Sequence, residues 1–189
     1  MRVTIFTWLV ILFAIILFTA LVNRDKDENI TELDFPKEEE PQEEELPDGL
    51  HPVVSKNKDE LIQRAEEKDI TVVVTDGFRS IEDQDALYAM GRSESGQIVT
   101  NAEGGESFHN YGLAIDFALE TEEGNLIWDT SYDGNDNGKS DWMEVVNIAK
   151  DLGFEWGGDW QHFKDYPHLQ MRFGLRISEL KRGERPESN

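Results

Sequence analysis

The 189-residue sequence contains no cysteine. That absence excludes disulfide bonds, a catalytic thiolate and zinc sites built on thiolates, so any metal must be held by histidine, aspartate or glutamate. Positive charge is also scarce, since 18 Lys and Arg stand against 40 Asp and Glu and the formal net charge is -22. Because nucleic-acid-binding proteins present a basic surface, this composition argues against DNA or RNA as a partner.

Charged residues are missing from residues 5–22, an apolar run that begins IFTWLV. As a helix this run would span about 27 Å, close to the hydrocarbon thickness of a bilayer. We expect residues 1–22 to be an uncleaved signal anchor in the membrane. A cleaved signal peptide is the alternative, although the residues after the run resemble a cleavage site only poorly. Both interpretations predict an extracytoplasmic protein, either membrane-anchored or secreted.

Large apolar residues are nearly absent from residues 23–50, which are dominated by Asp and Glu and contain three prolines. Such a segment has too little apolar surface to offset its conformational entropy, so it is predicted to be a disordered acidic linker. The remaining chain is long enough for one compact domain. We place that domain at residues 51–177, followed by a polar tail at 178–189.

The predicted domain mixes helical and strand patterns. Apolar periodicity and capping residues, Ser80 among them, predict helices over residues 57–69, 80–92 and 141–153. Short apolar or β-branched runs predict strands over residues 71–75, 113–119, 125–130 and 168–171. Because these elements do not alternate as regular βαβ units, the sequence predicts an α+β fold with a largely antiparallel sheet and flanking helices.

The stretch SFHNYGLAID places His109 and Asp116 seven positions apart. Both are good zinc ligands, but a hydrolytic zinc site needs three protein ligands and a position for water. His168 follows in DYPHLQM, and a proline-containing turn there brings Asp165 to the same side. The pattern predicts a zinc site of His109, Asp116 and His168 with Asp165 as the proton acceptor. A histidine such as His109, taken alone, would more often be structural.

Arg79 lies in TDGFRS, where a strand pattern ends in a glycine turn. Its guanidinium stays charged and donates parallel hydrogen bonds, so it suits a developing oxyanion or a substrate carboxylate. An ordinary surface arginine is the alternative.

Together, GFRS, SFHNYGLAID, WGGDW and DYPH resemble, in order and spacing, the bacterial cell-wall zinc peptidases that include D-alanyl-D-alanine carboxypeptidases and L-alanyl-D-glutamate endopeptidases. The resemblance covers roughly residues 55–174 and implies the fold shared by these peptidases and the Hedgehog domain. It implies zinc on His109, Asp116 and His168, with Asp165 as general base and Arg79 contacting substrate or transition state. Ser107 matches a substrate-facing position, although capping a local turn is the alternative. No role follows for the histidine at position 162.

WGGDW ahead of an aspartate base resembles the L-alanyl-D-glutamate endopeptidase branch of this family. That resemblance implies a monomeric enzyme that cuts peptidoglycan stem peptides between L-Ala and D-Glu in cell-wall turnover. Two alternatives stay open: a D,D-carboxypeptidase or dipeptidase of the same family, and a non-catalytic zinc-containing binding module.

A second metal site is predicted at residues 133–144, DGNDNGKSDWME. The spacing matches the calcium-loop pattern D-x-[DN]-x-[DN]-G-x5-E. The predicted ligands are side chains at five positions and one backbone carbonyl: Asp133, Asn135, Asn137, the Lys139 carbonyl, Asp141 and Glu144. A solvated Asn/Gly/Asp turn without a metal is the alternative.

Overall fold

The computed structural model describes residues 46–187. In chain order the regular elements are α1 (Pro52–Glu66), β1 (Thr71–Asp76), α2 (Ile81–Ala89), a 3₁₀ helix (Phe108–Tyr111), β2 (Ala114–Glu120), β3 (Leu126–Ile127), α3 (Asp141–Asp151), β4 (Glu155–Trp156), a second 3₁₀ helix (Gly157–Asp159), β5 (His168–Gln170) and α4 (Ile177–Leu180).

The strands form one five-stranded sheet in the order β1-β2-β5-β4, with β3 also paired to β2. Every strand pair in it is antiparallel. The predicted α+β class with a largely antiparallel sheet is therefore confirmed. Strand β2 lies at the centre and alternates between faces, so that Ile115 and Phe117 are fully buried while Asp116 between them is only partly buried.

The hydrophobic core lies between the sheet and the two longer helices. Helix α1 packs against both β1 and α3. Trp142 at the start of α3 is completely buried, and its ring packs on Phe117 of β2 at a centroid distance of 4.4 Å.

Helices α2 and α3 each begin at a capping serine. Ser80 and Ser140 cap α2 and α3 by accepting hydrogen bonds from backbone amides in the first turn.

The observed elements differ from the predicted ones mainly at their ends. Helix α1 begins at Pro52 rather than at residue 57, because proline suits the first turn and His51 accepts a hydrogen bond from the Val53 amide. The strand predicted over 125–130 is reduced to β3, and Trp128 beyond it is exposed. Strand β4 was not predicted, since two residues carry no detectable periodicity.

Both predicted domain limits fall inside packed structure. Leu50, at the end of the predicted linker 23–50, packs against the core. Helix α4 crosses the limit at residue 177, and Leu180 of the predicted polar tail is almost fully buried. A single apolar residue among charged neighbours gave no sign of this contact.

Within residues 46–187, no helix combines the length and apolar character needed to cross a bilayer. The predicted anchor at 1–22 and most of the predicted linker lie outside the described residues.

Replacing Trp142 with alanine should lower the free energy of unfolding by about 3–5 kcal/mol, because it opens a large cavity beside Phe117. The matched control is Trp128→Ala, which removes the same side chain from an exposed position and should change stability by less than about 0.5 kcal/mol. Denaturant unfolding of both variants tests this expectation. Equal losses would contradict the assigned core.

Candidate metal centre

Three polar side chains form a row across the middle of the sheet. Asp116 of β2 is paired in register with Asp76 of β1 on one side and with His168 of β5 on the other. The pairing of Asp76 follows an irregularity after Val74, which shifts the β1 register by one residue. Residues directly opposite each other on antiparallel strands share a face of the sheet. The register therefore brings Asp116 and His168 together.

His109 reaches the same place from the 3₁₀ helix Phe108–Tyr111. The turn ends at Gly112, which has a positive φ of 66° and would carry a side chain into the backbone of Gly49 and Leu50. Only glycine satisfies both conditions without strain. This requirement explains the glycine between the histidine and the aspartate of SFHNYGLAID.

The three predicted ligand atoms form a nearly regular triangle. His109 Nε2 lies 3.1 Å from His168 Nδ1 and 3.4 Å from Asp116 Oδ1, and His168 Nδ1 lies 3.2 Å from the same oxygen. Tetrahedral zinc with ligand bonds of about 2.0–2.1 Å places its ligand atoms about 3.3–3.4 Å apart. Among the described residues, this is the one group of three or more His, Asp or Glu side chains whose ligand atoms all lie within 4.8 Å of one another.

The outer nitrogens of both rings are fixed by acceptors. His109 Nδ1 lies 2.6 Å from the Gly77 carbonyl, which can only accept, so Nδ1 carries the proton. Gln170 donates its amide to Glu155 and turns its oxygen toward His168 Nε2, 3.0 Å away. His168 Nε2 therefore carries the proton too. In the neutral rings, the lone pairs of His109 Nε2 and His168 Nδ1 face each other, an arrangement that a shared cation stabilises.

The electrostatics of the centre also favour a cation. Burial raises the pKa of Asp116, but His109 and His168, whose inner nitrogens donate to this carboxylate when the rings are protonated, outweigh burial and hold that pKa well below its usual value. Burial lowers the pKa of His168, but Asp116 outweighs it and the net shift is upward from 6.5. Without a metal the centre attracts a proton instead. The donor set and its charge therefore fit a zinc ion.

Asp165 lies beside the triangle on the segment between the second 3₁₀ helix and β5. Its amide donates to the Gly157 carbonyl at 3.2 Å, and its carbonyl accepts from the His168 amide at 3.3 Å. A side chain on Gly157 would collide with the Asp165 backbone, which explains one glycine of WGGDW. Burial, and then the charge of Asp116, raise the pKa of Asp165 above its usual value. A carboxylate in that setting is suited to accepting a proton.

Arg79 lies at the centre and is not an ordinary surface residue. Its guanidinium forms a close ion pair with Asp76, donates to Gln84 Oε1 at 2.8 Å and lies 3.9 Å from Asp116 Oδ2. Its backbone amide donates to the His109 carbonyl at 3.1 Å. These contacts hold one positive charge beside the metal ligands.

Ser107 has the capping contact that the sequence left as an alternative. Its hydroxyl accepts a hydrogen bond from the His109 amide at 3.3 Å and begins the 3₁₀ helix that carries this ligand. Asn110 in the same turn donates to the carbonyls of Arg79 and Ser80 at 2.9 and 3.1 Å. The turn is thereby tied to the β1–α2 connection.

The three predicted zinc ligands border one open cavity of about 720 Å³, together with Asp76, Arg79, Ser107, Asp165 and Gln170. Its walls combine the polar centre with aromatic surface from Trp160 and Phe163. The Trp160 ring lies against His168 at a centroid distance of 5.2 Å. A cavity of this volume lies within the usual range of ligand-binding pockets.

The predicted calcium loop lies apart from this cavity, ahead of α3. Its side-chain oxygens accept hydrogen bonds from the loop itself, and Glu144 forms an ion pair with Lys68 at 3.0 Å. Calcium binding stays a prediction at this point.

Three contributors to the centre were not singled out from the sequence. Gln170 carried a usable signal, because it follows His168 by two residues and so shares its face of β5. Asp76 was part of the quoted TDGFRS stretch, but only the pairing of β1 with β2 places it beside Asp116. The Gly77 carbonyl acts through the backbone, which a pattern of side chains cannot reveal.

Comparison with known sequences gives several similarities. A family model described as D-alanyl-D-alanine carboxypeptidase matches residues 100–171. The peptidoglycan L-alanyl-D-glutamate endopeptidase CwlK of Bacillus subtilis (strain 168) is 64% identical over 126 residues, which cover 67% of this chain and 75% of that protein. The L-alanyl-D-glutamate peptidase of Listeria phage A118 is 34% identical over 113 residues, covering 60% of this chain and 34% of the phage protein.

Among solved structures, the Serratia marcescens L-Ala D-Glu endopeptidase ChiX is 26% identical, with a TM-score of 0.45 over 66% of this chain and 82% of that chain.

Gln170→Ala should weaken zinc binding by about 10- to 100-fold, because His168 loses the acceptor that fixes its ring and tautomer. Competition against a chromophoric zinc chelator measures the affinity. Glu155→Ala is the control, since Glu155 touches Gln170 but not the histidine, and its loss should be smaller. An unchanged affinity in Gln170→Ala would show that this contact does not support the ligand.

Proposed function

The chain belongs to the family of bacterial cell-wall peptidases that comprises D-alanyl-D-alanine carboxypeptidases and L-alanyl-D-glutamate endopeptidases, and on that premise we propose that it is a zinc-dependent peptidoglycan hydrolase that cleaves the L-alanyl-D-glutamate bond of stem peptides. The identity of 64% with the Bacillus subtilis endopeptidase supports this bond rather than a terminal D-alanyl bond.

The observation that carries the proposal is the convergence of His109 Nε2, Asp116 Oδ1 and His168 Nδ1 on one point at the wall of an open cavity. These three residues would hold the zinc. A zinc ion there supplies a Lewis acid that lowers the pKa of water from about 15.7 to about 7 and polarises a carbonyl.

Asp165 supplies the proton transfers in this proposal. Its carboxylate takes a proton from the attacking water and returns it to the nitrogen of the leaving amine. Two observations support the role: the side chain borders the same cavity as the ligands, and burial raises its pKa. Because the outer nitrogens of both histidines are already committed to Gly77 and Gln170, neither ring is free to do the same work.

Arg79 stabilises negative charge in this proposal. When water adds to the scissile carbonyl, charge develops on the oxygen, and a guanidinium fixed in advance favours it without reorganisation. Its contacts with Asp76 and Gln84 support such a fixed position. Ser107 is proposed to face substrate in addition to capping the ligand turn, since it borders the cavity.

The proposed activity requires access to peptidoglycan, so we propose an extracytoplasmic enzyme whose N-terminal segment, residues 1–22, anchors or exports it. The acidic residues that follow, up to the start of the packed domain, would then serve as a linker, and the enzyme would act as a monomer.

Incubation of the zinc-loaded protein with purified muropeptides tests the bond. We expect mass spectrometry to find a peptide with a new D-glutamyl amino terminus and a glycan fragment that keeps L-alanine. Release of terminal D-alanine alone would assign the carboxypeptidase activity named in the matching family model. Binding without any cleavage would assign a recognition module.

Asp165→Ala should keep zinc and lose about 10²- to 10⁴-fold in kcat, because it removes the proposed general base and no ligand. The matched variant His168→Ala should lose zinc and activity together. Zinc content by elemental analysis and hydrolysis rate on the same preparations separate the two. An empty metal site in Asp165→Ala would make Asp165 a ligand and overturn its assignment.

A further inference from the structure

The segment from Asp133 to Glu144 folds around its own side-chain oxygens. The Asp133 carboxylate accepts from the amides of Asn137 and Gly138 at 3.1 and 2.9 Å. The Asn135 side chain accepts from the Asn137 amide at 3.2 Å, and the Asn137 side chain accepts from the Lys139 amide at 2.9 Å. The oxygens of the first, third and fifth positions are thus held on the inside of one turn.

A separate observation concerns a buried carboxylate in this segment. Asp141, the ninth position, is only 2% exposed, and its Oδ1 has no hydrogen-bond partner among the described residues. Its Oδ2 accepts from the Gly134 amide at 2.9 Å, which directs the carboxylate toward the loop. A buried carboxylate oxygen without a partner is costly, and a bound cation would satisfy it.

The charges around Asp141 also favour a bound cation. Burial, and then the nearby charges of Asp133 and Glu144, raise the pKa of Asp141. Asp133 and Glu144 therefore lie close enough to Asp141 for their charges to act on it. Glu144 at the twelfth position has a side chain that is 10% exposed. Its Oε2 accepts a hydrogen bond from the side-chain Nδ2 of Asn137 at 2.6 Å, and its Oε1 lies 3.0 Å from Lys68 Nζ.

We propose that this loop binds one calcium ion through the side chains of Asp133, Asn135, Asn137, Asp141 and Glu144 and the Lys139 carbonyl. All six groups are oxygen donors, which suits calcium, and a loop of six or more oxygens favours calcium over the smaller magnesium ion. Binding releases Glu144 from Lys68, whose ammonium occupies one of the carboxylate oxygens when no calcium is present.

Calcium at this position stabilises the peptidase domain. Asp141 and Glu144 lie in the first turn of α3, next to Trp142, which stacks on Phe117. Phe117 directly follows the metal ligand Asp116 in β2. Calcium in this loop therefore holds the start of α3, which packs against the strand that carries Asp116. Calcium binding should raise the free energy of unfolding of the whole domain.

The test is a calcium titration of the full-length protein, stripped of metal and reloaded with one equivalent of zinc. Calcium chloride is added between about 10 μM and 10 mM, a range that brackets the affinities of extracellular calcium modules. We expect saturable heat in calorimetry and a melting temperature that rises with calcium concentration, with magnesium chloride giving a much smaller rise. Zinc content is measured before and after, so that failure of the zinc peptidase proposal does not affect the result.

Two loop variants separate ligation from general electrostatics. Glu144→Gln should weaken calcium binding by at least about tenfold, because it removes the bidentate carboxylate that closes the site. Asp136→Asn is the matched control, because it removes the same charge at the fourth position, which supplies no ligand. Asparagine also tolerates the positive φ of 55° at this position. Its affinity should stay close to that of the wild type. Equal losses in both variants, or no binding by the wild type at 10 mM calcium, would overturn the proposal.

A gain-of-affinity variant keeps the test decisive if Glu144→Gln does not fold. Lys68→Gln removes the ammonium that competes for Glu144, from a side chain that is 46% exposed. It should bind calcium more tightly than the wild type and more tightly than Lys139→Gln, which removes the same charge without freeing a ligand. Unchanged or weaker binding by Lys68→Gln would contradict the assignment of Glu144 as a ligand.

Discussion

The antiparallel pairing of β2 with β5, in which Asp116 faces His168, is the constraint on which both the core and the metal centre depend. Side chains alternate along β2, so Ile115 and Phe117 enter the core while Asp116 turns to the opposite face. A slip of one residue would exchange these faces, burying a carboxylate among apolar side chains and exposing a phenylalanine. The free energy of burying the core therefore also holds the metal ligand in position.

The inward-facing groups of the centre are stabilised by a positive charge, which either a cation or a proton can supply. The outer N–H groups of the two imidazoles donate hydrogen bonds to the Gly77 carbonyl and to Gln170 Oε1. The lone pairs of the inner nitrogens therefore face each other and Asp116. Without a metal, Asp116 draws a proton to His168, which is why the pKa of that histidine rises despite burial. Zinc and proton compete for the same place, so zinc binding is expected to weaken as the pH falls.

Charge placement around the centre is equally specific within a strongly acidic chain. Arg79 brings a positive charge to within 3.9 Å of Asp116, and Asp76 holds it there. Asp165 lies close enough to Asp116 for that charge to raise its pKa. A divalent cation would add positive charge at the same point and reverse the sign of this influence. The proton affinity of Asp165 therefore depends on whether the metal is bound.

The fold class and much of the site were predictable because their signals are local. Periodicity and capping residues predicted the helices that begin after Ser80 and Ser140, and the β-branched run predicted β1. The short strands β3 and β4 and the burial of Leu180 were not predictable, since they depend on pairing and packing with distant residues. The N-terminal anchor stays a prediction, because residues 1–45 lie outside the described part of the chain.

For the metal centre, the amino-acid sequence by itself determined which groups are available: imidazoles and carboxylates without any thiol, spaced as in a known family of zinc peptidases. The same holds for the oxygen donors of the 133–144 loop. Tertiary structure alone decided that Asp76 stands beside Asp116, that the Gly77 carbonyl and Gln170 set the histidine tautomers, and that Asp141 is buried with an oxygen left unsatisfied. The physical reason is separation along the chain. Strand register and burial bring together atoms that are many residues apart, whereas a sequence pattern records only neighbours along the chain.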